Sequence, residues 1–218
     1  FYAGLNYLKS QKNNAFGIAQ LTNSNGPPFF LSDQKSSDWK AGNYTLAEIN
    51  YEKLELVREL QPDLIVLAWR FDGERAYLGD TPMSAQEEVD AVIQTINKIQ
   101  DVSKNTRIVI IGPYPHWKYD LRHVIAEYAR DHAGNLPPAM MSYGMVEKPL
   151  FVDAYFKKQF SGRGITYISA IDILCSKGSC LTRTSDNAKD LITVDYGHLS
   201  ESGAQFLAQK ISDQLLKN

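Results

Sequence analysis

The chain has 218 residues, enough for one good-sized α/β domain and short for two, so a single domain over residues 1–218 is expected. Hydrophobic residues make up 44% and charged residues 22%, which excludes a disordered or collagen-like chain. The formal net charge of -2, from 23 basic and 25 acidic residues with no Lys/Arg run, supplies no field to gather phosphates and argues against a nucleic-acid partner.

No stretch approaches the roughly 18 apolar residues of a membrane helix. The chain begins without a Met or a signal peptide, so it is expected to be a piece of something longer. Phe1, Leu5 and Leu8 share one helical face, and Phe16-Gly-Ile-Ala-Gln-Leu21 then reads as a short strand. Thr45-Leu-Ala-Glu48 has the spacing of a capping box. Leu46, Ile49, Leu54, Val57 and Leu60 follow at helical spacing until Gln61-Pro62 stops the run. Asp63-Leu-Ile-Val-Leu-Ala68 reads as a buried strand. Ser84-Ala-Gln-Glu87 repeats the capping box ahead of Val89, Val92, Ile93, Ile96 and Ile99, and that helix feeds the apolar strand Arg107-Ile-Val-Ile-Ile-Gly112.

Residues 116–146, with a proline pair and Met140-Met141, form the least regular stretch and are expected to be an insertion or a flexible rim. A helix over 150–160 leads to a strand over 165–168. In Cys175-Ser-Lys-Gly-Ser-Cys180, a turn through the central glycine would bring both sulfurs within disulfide reach. A small oxidised loop, and with it an oxidising compartment, is the reading preferred over two reduced thiols. Closing so short a loop stabilises by only about 2 kcal/mol. Ala204, Leu207, Ala208, Ile211 and Leu215 mark the last helix.

Continuous apolar strands alternating with helices imply right-handed crossovers and a parallel sheet, hence the α/β class. A helix at residue 1 followed by a strand is what remains when a βαβ unit loses its first strand, so one more strand is expected upstream. Ligands in such sheets bind at the carboxyl ends of the strands. The sharpest chemistry is Asp195-Tyr-Gly-His198-Leu-Ser200 just before the last helix. There a carboxylate three residues ahead of an imidazole can fix its tautomer and leave Nε2 free to deprotonate a hydroxyl. The same letters also suit Asp195 as a turn former, His198 as a surface residue and Ser200 as an N-cap.

With Gly203 and the helix that follows, Asp195-x-x-His198-Leu-Ser200 resembles the last block of SGNH hydrolases, whose Asp and His complete a Ser-His-Asp triad. Further segments resemble one branch of that family, the SGNH domains fused behind the membrane acyltransferase-3 module of bacterial surface-polysaccharide and O-antigen O-acetyltransferases. They are Ser24-Asn-Gly26-Pro-Pro28, Leu67-Ala-Trp-Arg70-Phe71, Ile111-Gly-Pro-Tyr-Pro115 and the paired cysteines Cys175 and Cys180, and they occur in the family's order. The resemblance implies a three-layer, flavodoxin-like SGNH fold. The family's Gly-Asp-Ser-His block is absent, and Phe1-Tyr-Ala-Gly-Leu5 resembles the helix directly after it, so the nucleophilic serine is expected a few residues before Phe1. The family's second-block cysteine is replaced by Gly26 or displaced by Asn25.

By resemblance, the serine attacks an acyl carbonyl, His198 is the base, Asp195 orients His198, and Gly26, Asn25 and Arg70 form the oxyanion- or substrate-binding set. Arg70 equally suits a salt bridge to Asp72 or Glu74. Trp69, Tyr114, Trp117 and Tyr119 suit either stacking on sugar rings or rim packing. His116, His123 and His132 have no spacing of metal ligands, and neither a metal nor another cofactor is expected. The leading expectation is a periplasmic O-acyltransferase domain, tethered by an upstream acyltransferase-3 membrane module and acting on a surface polysaccharide. The alternatives are a free-standing carbohydrate O-acetylesterase and a non-catalytic glycan-binding domain.

Overall fold

The computed structural model describes residues 1–22, 28–30, 40–41, 43–69, 71, 77–78, 81–135, 138–187 and 189–216. In chain order these form helices α1 (Tyr2–Gln11), α2 (Leu46–Leu60), α3 (Ala85–Val102), α4 (Leu121–Asp131), α5 (Lys148–Phe160), α6 (Ala170–Leu174) and α7 (Glu201–Leu216). The main strands are β1 (Leu64–Ala68), β2 (Arg107–Ile111) and β3 (Thr166–Ile168), accompanied by shorter paired segments. Two compact units interleave along the chain: Phe1–Gln20, Pro113–Phe151 and Ser169–Asn218 make one, and Leu21–Gly112 with Val152–Ile168 make the other.

The second unit holds the parallel sheet, in the order β3-β2-β1. β2 is central, with Arg107 opposite Leu64 and Ile111 opposite both Ala68 and Ile168. Ile108 to Ile111 are all buried, so neither face of β2 meets water, which is why its sequence runs apolar without alternation. One apolar cluster gathers Leu54 and Val57 of α2, Val89, Val92, Ile96 and Ile99 of α3, Ile108 and Ile110 of β2, and Val152, Phe156 and Phe160 of α5. Both capping boxes form. Thr45 Oγ1 accepts from Glu48 N at 3.2 Å while Glu48 Oε2 accepts from Thr45 N at 2.7 Å, and Ser84 and Glu87 do the same at 3.3 and 2.8 Å.

Just past the carboxyl end of β2 only glycine fits at position 112, since a Cβ there would lie 2.1 Å from Tyr167 Oη. That hydroxyl is fixed, donating to Asp153 Oδ1 at 2.7 Å, and Asp153 is paired in turn with Lys157 at 2.8 Å.

The first unit is organised by α1 lying on α7. Gly4 makes this crossing possible, since a Cβ on it would sit 2.2 Å from the Ala204 carbonyl oxygen. Tyr7 Oη accepts from Gln209 Nε2 at 2.8 Å, and Leu8, Leu207 and Ile211 are buried. Cys175 and Cys180 are joined in a disulfide as expected, directly opposite one another on an antiparallel pair. The connection, Lys177-Gly178, has φ of 50° and 76°, the two positive values of a type I′ hairpin turn.

Two expectations need correction. Residues 16–21 are not a strand: only Phe16 and Ile18 are even half-buried, and no described strand pairs with them. A strand needs a partner for its backbone groups, which local apolar spacing does not guarantee. Residues 116–146 are not irregular throughout, because α4 occupies 121–131 and His116–Trp117 pairs antiparallel with Met145–Val146. α6 was not foreseen; Ser169 caps it by accepting from Asp172 N at 3.0 Å.

Candidate functional site

The chain from Ile192 to Ser200 doubles back on itself. Thr193 and Leu199 form an antiparallel bridge, Val194 N donates to His198 O at 2.9 Å, and Ser200 N donates to Ile192 O at 3.0 Å. The tip this creates is Asp195-Tyr-Gly-His198, anchored from below by two backbone donors, Trp117 N to Tyr196 O at 2.7 Å and Leu121 N to Asp195 O at 3.2 Å. Ser200 caps α7 by accepting from Gly203 N at 2.9 Å. Ser200 is thus the N-cap, and Asp195 and His198 are a bonded pair above it.

Asp195 divides its two oxygens. Oδ1 accepts from Gly197 N at 2.9 Å and from His198 N at 2.8 Å, an Asx-type turn that fixes the loop, while Oδ2 lies 2.7 Å from His198 Nδ1. Partial burial pushes the Asp195 carboxyl up, but the N-H groups of Gly197 and His198 and the His198 ring together outweigh it and hold the carboxyl below its ordinary value. An ionised Asp195 fixes the tautomer with the proton on Nδ1 and leaves Nε2 as the acceptor. The His198 side chain is 62% exposed, and its Nε2 makes no hydrogen bond to any described residue.

The loop packs on a second imidazole. His116 is 6% exposed, and a Cβ at Gly197 would stand 2.4 Å from its Cδ2. Tyr196 lies edge-to-face between His116 and His198, with ring centroids 6.0 Å from each. Sequence reasoning set His116 aside because it looked only for metal spacing; the glycine inside the Asp-x-Gly-His motif was the local sign that something large lies beneath.

Gly26, Asn25 and Arg70 lie outside the described residues, as do Asp72 and Glu74. Of the four aromatics marked for sugars, Trp117 is buried, Trp69 and Tyr114 are half-buried, and Tyr119 is exposed. Among the described residues no group of three His, Cys, Asp or Glu could hold a metal ion, and no helix is long and apolar enough to cross a membrane. A cavity of about 520 Å³ in the second unit, lined by Ile96, Arg107, Arg163 and Thr166 among others, opens at the amino ends of β2 and β3. Ligands of open parallel sheets bind at the opposite, carboxyl ends.

A family model described as the SGNH domain (fused to AT3 domains) matches residues 1–213. A solved structure of the lipopolysaccharide acetyltransferase periplasmic domain of Salmonella ser. Paratyphi A is 31% identical, over 99% of this chain and 78% of that chain, with a TM-score of 0.87. A second, described as "a putative platelet activating factor from Streptococcus pneumonia", is 18% identical over 74% of this chain and 67% of that one; its TM-score of 0.45 is too low to bear on function. No curated protein matches the chain in sequence.

Proposed function

The chain belongs to the family of SGNH domains fused to AT3 domains, and from that premise we propose that it transfers an acetyl group to a hydroxyl of a surface polysaccharide, with His198 as base and Asp195 as its orienting partner. The observation that carries this reading is the 2.7 Å contact between His198 Nδ1 and Asp195 Oδ2, with Nε2 left open. The likeness to the lipopolysaccharide acetyltransferase periplasmic domain from Salmonella supports the proposed substrate class and periplasmic setting, and the family's description supports a membrane module as partner.

The chemistry balances around one proton. The serine hydroxyl of the family's first block attacks the acyl carbonyl and gives its proton to His198 Nε2. The oxyanion needs backbone donors, for which the N-H groups of that serine and of Gly26 are the proposed source, with Asn25 and Arg70 proposed as further oxyanion or substrate contacts. His198 returns the proton to the departing group as the bond between that group and the acyl carbon breaks, leaving the acyl-serine ester. An acceptor hydroxyl then attacks the acyl-serine, loses its proton to His198, and leaves as the ester while the serine regains its hydrogen. Asp195 stays ionised throughout and stabilises each imidazolium.

The test is acetyl-ester hydrolysis and acetyl transfer by the intact encoded protein. Asp195→Asn should lower kcat about 10⁴-fold, and His198→Ala by at least as much. Unchanged rates in His198→Ala would sink the assignment; hydrolysis with no transfer would make the protein an esterase.

A further inference from the structure

Tyr119 is the one aromatic of the four singled out in sequence that remains open, at 54% exposure against 1% for Trp117. Its place is fixed by the same two bonds that anchor the Asp195 loop. Trp117 N donates to Tyr196 O and Leu121 N donates to Asp195 O, and Tyr119 sits two residues from each donor. At 3.8 Å between successive Cα atoms, no more than about 8 Å of chain separates it from either anchor.

The ring itself is held. Lys118 Nζ stands 5.5 Å from its centroid and also pairs with Glu127 at 2.6 Å, while the His123 ring meets it edge-on at 5.5 Å. Next to it, Asp120 holds Arg122 through two bonds, Nε to Oδ1 at 3.2 Å and Nη2 to Oδ2 at 3.0 Å. An exposed ring whose neighbours already fix its orientation loses little side-chain entropy on binding. The exposed part of the ring suits the apolar C-H face of a pyranose, and Lys118, Asp120 and Arg122 offer donors and acceptors for the sugar's hydroxyls.

We propose that Tyr119 is the stacking platform for a pyranosyl residue of the acceptor polysaccharide, and that it presents that residue's hydroxyl to the Asp195–His198 pair. The proposal rests on the acetyl-transfer reading, and its failure is distinguishable from that reading's failure. Binding of de-O-acetylated surface polysaccharide from the encoding strain would be measured by titration calorimetry on the intact encoded protein, alongside acetyl-ester hydrolysis. Tyr119→Ala is expected to weaken binding about tenfold, and Tyr119→Phe, which keeps the ring, to stay within about twofold of the parent.

Equal affinity in Tyr119→Ala and the parent overturns the platform, and so does an equal loss in the Phe variant, which would assign the effect to the hydroxyl rather than the face. If His198→Ala loses hydrolysis while Tyr119→Ala binds normally, the platform alone falls. If the parent shows no binding of the polysaccharide, or if His198→Ala hydrolyses normally, the acetyl-transfer reading falls and the platform with it.

Discussion

Gly197 is where one atom decides the loop. The structure gives it no left-handed φ, so alanine is excluded by space alone: its Cβ would stand 2.4 Å from a His116 ring that is itself buried. Gly197→Ala should therefore lower stability by about 1–3 kcal/mol, read as a fall in Tm, and should lower acetyl-ester hydrolysis by tilting His198. Trimming the obstacle with His116→Ala in the Gly197→Ala background should recover part of the loss, a coupling that a double-mutant cycle would measure. Asp195 adds a pH dependence. Its folded-state carboxyl lies below the ordinary value, so its contribution to stability is complete above the unfolded carboxyl range and is lost as pH falls through the depressed folded value. The Tm difference between the parent and Asp195→Asn should thus be present above the ordinary carboxylate range and shrink as pH falls below it. It should also be small, because the side chain is 35% exposed. The Asp195–His198 pair was legible in the sequence because its partners are three residues apart and one turn joins them. His116 was not, because it comes from about 80 residues away and Gly197 reports only that something large lies close, not which residue it is.

Helix beginnings were the most legible elements, since a capping box is complete within four residues. Thr45-x-x-Glu48 and Ser84-x-x-Glu87 both form as spelled. The end of α2 was half legible: Pro62 announced it, but not the part played by Gln61. With φ of 43°, Gln61 turns its amide to donate to Val102 O at 3.0 Å and to accept from Ser103 Oγ at 2.9 Å, tying the ends of α2 and α3 together. α4 was legible and was missed: Leu121, Val124, Ile125 and Tyr128 fall at i, i+3, i+4 and i+7, the spacing of one helical face. Residues 16–21 erred the other way, since apolar letters do not show whether a pairing strand is present. Two glycines in or near α1 give a controlled comparison. Gly4→Ala drives a Cβ into the Ala204 carbonyl and should cost about 1–3 kcal/mol in urea unfolding. Gly17→Ala meets nothing within 4 Å at a backbone of ordinary φ and should be neutral or slightly stabilising, by up to about 1 kcal/mol.

At the scale of the whole molecule the decisive fact is connectivity. The chain passes from one unit to the other at residues 20–21, 112–113, 151–152 and 168–169, and the last two junctions enclose only the seventeen residues Val152–Ile168. That short return supplies both β3 and the Val152, Phe156 and Phe160 side chains of the apolar cluster. Neither unit is a continuous stretch of sequence, so neither can complete its core until distant segments have come together. Closing such loops carries an entropic cost that each unit shares with the other. The single domain expected from length and composition becomes a measurable claim on these grounds, and the tryptophans provide the means. Trp69 packs against the cluster of the second unit, and Trp117 is buried in the first. Urea unfolding followed by far-UV circular dichroism, by fluorescence of a Trp39→Phe/Trp69→Phe variant, which keeps only Trp117, and by fluorescence of a Trp117→Phe variant should give, after each variant's own shift in stability, one coincident transition per protein. A fluorescence midpoint in either variant that departs from that variant's circular-dichroism midpoint would mean that the units unfold independently and would overturn the single-domain reading.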